Sequence, residues 1–157
     1  QELTAALRGH FIGMLLVGEP GSGKTTLLRS IARELVRQQK ILSVIDERRE
    51  LFARNAPGEA LDVLAGLPKG QAVQMALRTL SPQVILLDEL GGLDEVTALE
   101  QGLFSGVDFI ATLHAATPEE ATMRPQVKYL MERGAVRVLV WLTGRQAPGC
   151  IGEVRFL

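Results

Sequence analysis

The chain has 157 residues, 46% of them apolar, with 17 basic and 18 acidic side chains. That length fits one compact domain with a sizeable core, and the near-balance of charge argues against a general nucleic-acid surface, although it leaves room for a local basic channel. The single cysteine, Cys150, excludes an internal disulfide, and no apolar run approaches the roughly 18–20 residues that cross a bilayer.

Gln1 to Gly9 reads as a short polar lead-in helix, with Leu3, Ala6 and Leu7 on one face and His10 at the boundary of the first strand, Phe11 to Val17. That strand runs into Gly18-Glu19-Pro20-Gly21-Ser22-Gly23-Lys24-Thr25, the phosphate-loop pattern with four free positions before Gly23-Lys24-Thr25. The pattern needs its surroundings. A strand must deliver the loop, and a helix must leave it so that free N–H groups and the positive dipole end face phosphate. Leu27, Leu28, Ile31, Leu35 and Val36 recur at helical spacing between Lys24 and about Gln38, which supplies that helix. The glycines allow close backbone approach, Lys24 reaches the β- and γ-phosphates, and the Thr25 hydroxyl is suited to Mg²⁺. Gly18 to Thr26 is thus the expected binding stretch for a nucleoside triphosphate, and the lack of an Asn-Lys-x-Asp guanine-reading pattern favours ATP.

Ile41 to Ile45 forms the next buried strand, reached by a right-handed crossover. Asp46-Glu47-Arg48-Arg49-Glu50 follows at the carboxyl edge, where open parallel sheets gather ligands. Two readings stand: a solvated loop, or Glu47 positioning water or Mg²⁺ while Arg48 or Arg49 touches phosphate or a neighbouring subunit. Arg54 to Gly58 reads as irregular chain, Ala60 to Leu64 as one helical turn, and Gly70 to Leu80 as a helix stopped by Ser81-Pro82.

Val84-Ile85-Leu86-Leu87-Asp88-Glu89 is the second chemical landmark, a buried parallel strand ending in two carboxylates. Alternation aims the two apart. Asp88 is placed to hold Mg²⁺ opposite Thr25, and Glu89 to orient or deprotonate the water that attacks the γ-phosphate. Such a pair argues against a small-molecule kinase, whose acceptor is a bound substrate. Asp94 is expected to cap a helix from Glu95 to Phe104. The strand Val107 to Ala111 ends in Thr112-Leu113-His114-Ala115, where His114 is either a partner of the γ-phosphate or the catalytic carboxylate, reporting hydrolysis, or a satisfied structural histidine. Thr117-Pro118-Glu119-Glu120 opens a helix with a capping box, Arg124-Pro125 breaks it, and Gln126 to Arg133 continues as another. Val136 to Thr143 and Ile151 to Leu157 read as a terminal antiparallel hairpin, in which Trp141 packs at the sheet end.

At these residues the chain resembles the secretion and pilus ATPase superfamily and, more closely, its sporulation branch, the stage III AA family of endospore-forming bacteria. The likeness covers nearly the whole chain. It is carried by Gly18 to Arg29, Val44-Ile45-Asp46-Glu47-Arg48, Asp62-Val63-Leu64 before Gly66-Leu67-Pro68-Lys69, Arg78 to Pro82, Val84 to Gly91, Ala111 to Ala115 and Arg124-Pro125. It weakens from Arg54 to Leu61, and the wider superfamily often has Gly at the position of Asp88. The resemblance implies an α/β P-loop NTPase with a RecA-like, additional-strand, mostly parallel sheet, in which the Thr112-Leu113-His114 strand lies between the Asp88-Glu89 strand and the phosphate-loop strand. It implies one ATPase domain, residues 1–157, as the C-terminal part of a longer protein. It further implies a homo-oligomeric, hexameric ring on the cytoplasmic, mother-cell side of membrane-embedded sporulation channel proteins, with no direct nucleic-acid partner.

The expected activity is Mg²⁺-dependent ATP hydrolysis, with Lys24, Glu47, Arg48, Glu89 and His114 as catalytic candidates and Thr25 and Asp88 as metal ligands. Arg48, then Arg124, is the candidate to reach a neighbour's γ-phosphate. A nucleotide-gated assembly module with negligible turnover, and a kinase or nucleic-acid-dependent ATPase, are the competing readings.

Overall fold

The computed structural model describes residues 13–47, 51, 61–143 and 151–157. The expectations for Gln1 to Gly9, His10, Arg48, Arg49, Arg54 to Gly58 and Cys150 lie outside those residues, as does the turn of the terminal hairpin.

Seven strands form one sheet in the order β3-β2-β4-β5-β1-β6-β7. They are β1 (Gly13–Gly18), β2 (Leu42–Asp46), β3 (Leu61–Ala65), β4 (Val84–Leu87), β5 (Asp108–His114), β6 (Val138–Leu142) and β7 (Ile151–Phe156). All neighbours pair in parallel except β6 and β7, which are antiparallel. The strand β5 lies between β4 and β1, as the family resemblance implies.

The side chains of β1 divide by alternation. Leu15 and Val17 face one core, with Ile85, Leu87, Phe109 and Ala111 from neighbouring strands. Met14 and Leu16 face the other, with Val44, Leu86 and Ile110. Helix α1 (Lys24–Arg37) covers the second face through Leu28, Ile31, Ala32 and Leu35. Helices α2 (Lys69–Thr79), α3 (Leu93–Phe104), α4 (Pro118–Met123) and α5 (Pro125–Glu132) are on the first. With both faces covered, β1, β4 and β2 up to Ile45 are continuously apolar or small, as a central parallel strand requires. Phe109 is 1% exposed, so Phe109→Ala should cost about 3–5 kcal/mol through lost burial and an unfilled cavity.

Three local expectations change. Leu61–Ala65 is an edge strand, parallel to β2, where the sequence suggested a helical turn. A five-residue segment carries no period long enough to separate the two, and here the open edge of β2 decides. Helix α3 begins at Leu93, so Asp94 sits inside its first turn and does not cap it, although it still favours the positive dipole end. Strand β5 extends through His114, which makes Thr112 and His114 strand residues at the carboxyl edge of the sheet. The break at Arg124 is as expected, with an extended backbone (φ −64°, ψ 134°) ahead of Pro125.

Candidate functional site

Strand β1 ends at Gly18, and the chain turns through Pro20 and Gly21 into α1. The turn closes when the Ser22 N–H donates to the Glu19 carbonyl at 3.1 Å. A Cβ at Gly18 would lie 2.3 Å from Ser22 Oγ, so only glycine lets the loop fold this tightly over the strand. Gly23 is the residue before α1, with φ of 94°, a left-handed conformation that L side chains rarely adopt. No side chain caps the helix start, so the first-turn N–H groups face outward as an anion cradle. Ser22 Oγ is buried in the loop without a hydrogen-bond partner among the described residues. Lys24 Nζ folds back over the loop and donates to the Gly18 carbonyl at 2.9 Å and the Glu19 carbonyl at 3.0 Å. Burial lowers its pKa, while the nearby charges of Glu89 and Asp88 act the other way.

Opposite the loop, β4 delivers Asp88 and Glu89. Glu89 has φ of 62°, unusual for a residue with a side chain. Thr112, fully buried on β5, fixes this turn. Its hydroxyl accepts the Glu89 N–H at 2.7 Å and donates to Asp88 Oδ1 at 2.8 Å, and its carbonyl accepts the Leu90 N–H at 2.8 Å. Lys69, first residue of α2, reaches the same turn and donates to the Glu89 carbonyl. It also forms an ion pair with Glu95 at 3.5 Å. Burial raises the Glu95 pKa, and the Gly91 N–H and Lys69 oppose that shift.

These walls enclose a cleft of about 400 Å³ lined by Pro20, Gly21, Lys24, Thr25, Asp46, Glu47, Lys69, Asp88, Glu89 and His114. Gly21, Gly23, Lys24, Thr25 and Thr26 line an adjoining cavity of about 290 Å³ along the start of α1. The sequence-derived candidates Lys24, Thr25, Glu47, Asp88, Glu89 and His114 therefore share one space, while Arg48 lies outside the described residues. Asp46 is 2% exposed and accepts the Leu51 N–H at 3.0 Å, and Arg29 donates to the Leu51 carbonyl at 2.7 Å. These two bonds tie Leu51 to the end of β2 and to α1, so Asp46 is a structural acceptor as well as a lining residue of the cleft.

His114 is exposed and also borders a second hollow with Glu19, Glu89, Ala116, Glu120 and Arg124. Arg124, a candidate for reaching a neighbour, here donates to the His114 carbonyl at 3.1 Å and pairs with Glu120 at 3.1 Å within its own chain. Glu120 accepts the Ala116 N–H at 3.0 Å and donates its own N–H to Thr117 Oγ1 at 3.1 Å. The expected capping box is thus shifted by one residue on its carboxylate side. Trp141 Nε1 donates to the Ala116 carbonyl at 3.1 Å, a tie beyond simple packing.

The donors fit Mg²⁺ with a triphosphate. Thr25 and Asp88 offer hard oxygens, the loop, whose fold a Cβ at Gly18 would break by collision with Ser22, offers backbone N–H groups, and Lys24 offers an ammonium. Two residues of the site escaped sequence reasoning. Thr112 was visible only as a polar residue at a strand end. Lys69 did leave a signal, since a cation at a helix N-terminus opposes the dipole and invites a functional explanation.

Residues 5–155 match the family model described as sporulation stage III, protein AA. The stage III sporulation protein AA of Bacillus subtilis is 32% identical over 94% of this chain and 52% of its own length, so the chain spans about half of that relative. Among solved structures, the VirB11 ATPase of the Brucella suis type IV secretion system superposes with a TM-score of 0.74 at 23% identity, over 98% of this chain and 50% of that one. The Legionella pneumophila ATPase DotB gives 0.73 at 24% identity, over 89% and 42%. The fold shared with these structures is the RecA-like P-loop fold.

Proposed function

The chain belongs to the sporulation stage III, protein AA family, and from that premise we propose that its cleft binds Mg-ATP and hydrolyses it to power or gate a secretion-like sporulation complex. The observation that carries this reading is the convergence of Lys24, Thr25, Asp88 and Glu89 on one cleft, from a helix start and a strand tip. Gly18 to Thr26 hold the phosphates through backbone N–H groups. Lys24 leaves its two loop carbonyls and moves its charge onto the β- and γ-phosphate oxygens. Thr25 and Asp88 hold the metal. When bound, Mg²⁺ supplies neutralisation of charge that develops on the transferring phosphoryl group.

Glu89 accepts a proton from the attacking water, or orients it, from a carboxylate on a residue that lines the cleft and whose backbone is tied to Thr112. His114 lies where a γ-phosphate contact would report hydrolysis to the Ala116 to Arg124 segment, to which it is connected through Arg124. Glu47 is placed to order water or metal from the β2 side. Arg48 is assigned to the γ-phosphate of an adjoining subunit in a homo-oligomeric, hexameric ring. Arg124, bound to its own chain, is the weaker choice for that task. The names VirB11 and DotB belong to ATPases, the first of a secretion system, and that supports placing such a ring at membrane-embedded partners. Among the described residues no helix is long and apolar enough to cross a membrane, which is compatible with a domain peripheral to those partners.

Phosphate release by the full-length protein, followed against its state of assembly, tests the proposal. Specific activity should rise as rings form, because an arginine supplied across an interface is worth roughly 10³–10⁵ in rate. Mg-ATP binding without phosphate release at any concentration would leave a nucleotide-gated assembly module. Stimulation only by DNA or RNA would favour a nucleic-acid-dependent ATPase.

A further inference from the structure

Lys69 stands where a cation is electrostatically disfavoured. It opens α2, beside free N–H groups and the positive end of the dipole, where a carboxylate would be the stabilising choice. Its ammonium is nevertheless well held. It donates to the Glu89 carbonyl, lies 3.5 Å from the Asp88 carbonyl and pairs with Glu95 at 3.5 Å. Glu95 is only 7% exposed, and its other oxygen accepts the Gly91 N–H at 2.6 Å. Lys69 and Glu95 thus grip residues 88, 89 and 91 of a single turn.

That turn needs gripping. The positive φ of Glu89 persists only where the surroundings impose it. Thr112 holds the N–H side of the turn, and Lys69 holds the carbonyl side. We propose that Lys69 is a positioning residue for hydrolysis: with Glu95 it clamps the carbonyl side of the Asp88-Glu89 turn and fixes where the Glu89 carboxylate meets water. The inference rests on the role given to Glu89 above. Displacing a reacting group by about 1 Å can cost on the order of 10²-fold in rate, so the clamp acts on turnover more than on nucleotide affinity.

The test uses the full-length protein. Lys69→Met alone strands the Glu95 carboxylate, so Lys69→Met with Glu95→Gln is the second variant, which leaves no buried charge unpaired. Two readouts are taken. The first, without nucleotide, is hydrogen exchange at the Glu89 and Leu90 amides, whose acceptors on Thr112 are untouched by either substitution. Exchange there should quicken by about tenfold or more, while sheet-centre amides such as Leu16 and Ile110 keep their protection. The second is kcat for ATP, which should fall by about 10–100-fold with ATP affinity close to parental, and Lys69→Arg should recover most of it. Unchanged exchange at Glu89 and Leu90 in both Met variants would overturn the clamp, and quickened exchange with unchanged kcat would overturn its catalytic role. Failure of the underlying reading is seen separately: Glu89→Gln would then release phosphate at the parental rate, and the exchange measurement alone would decide whether the clamp exists.

Discussion

One wall of the cleft is a single contiguous stretch, Gly18 to Thr26, shaped by backbone and by what glycine permits. The other gathers Asp88 and Glu89 from β4, Thr112 and His114 from β5, Lys69 from α2 and, behind them, Glu95 from α3. The first wall holds its shape through chain geometry: a left-handed Gly23, a close approach at Gly18, an N–H of Ser22 turned onto Glu19. The second holds its shape through side-chain hydrogen bonds between residues about 20 positions apart in sequence. The contrast assigns different tasks. Under the proposed function, a backbone cradle serves phosphate groups that stay anionic throughout, whereas side chains tuned by their neighbours serve the step in which a proton moves.

Perturbing each wall should therefore fail differently. The largest effect belongs to the carboxylate wall: Glu89→Gln should lower phosphate release by about 10²–10⁴-fold while calorimetry shows Mg-ATP affinity largely kept. Equal turnover in parent and variant would move the carboxylate role to Glu47. Next, Gly18→Ala should weaken ATP binding by roughly tenfold and cost about 1–3 kcal/mol, since the added methyl must displace Ser22 Oγ or Leu142 Cβ, 2.3 Å and 3.3 Å from its position. Thermal unfolding together with nucleotide titration checks both halves of that statement. On the other wall Thr112→Val keeps the shape and removes the hydroxyl. It leaves the Glu89 N–H without its acceptor, a cost of about 1–3 kcal/mol, or roughly 2–4 °C in Tm for each kcal/mol. Its kcat should fall more than its ATP affinity.

Legibility followed the same division. The turn from Gly18 into α1, its strand and its helix were readable because pattern and periodicity are local properties of the chain. Asp88 and Glu89 were readable because an apolar run ending in charge marks a strand tip. Thr112 could be seen at the correct edge, but its bond to Asp88 depends on β5 lying beside β4, a pairing that periodicity does not encode and that came from the family resemblance. Lys69 depended on the path of α2 over the sheet. The strand β3 was missed because five residues at an edge take their conformation from the neighbour they pair with. Asp94 looked like a cap because its residue type suits one, while the helix took up one more turn position ahead of it.

The smallest expected effect concerns pH. Burial raises the Glu95 pKa, so the folded chain holds that proton more tightly than the unfolded chain does. The associated stability is present below the unfolded carboxylate pKa and is lost as pH rises through the folded value. Glu95→Gln lacks this titration, so the difference in Tm between variant and parent should shift in favour of the variant as pH rises across that window. A difference that stays constant with pH would remove burial of Glu95 from the account of the second wall.

The central claim is that both walls close on one Mg-ATP. It is tested most directly by calorimetric titration of ATP, with and without Mg²⁺, into the parent protein, Lys24→Ala and Asp88→Asn. The account predicts saturable binding by the parent that strengthens with Mg²⁺, affinity reduced by about tenfold or more in Lys24→Ala, and loss of the Mg²⁺ dependence in Asp88→Asn with the protein still folded. Affinity that is the same in parent and Lys24→Ala, or that ignores Mg²⁺ in the parent, would contradict it.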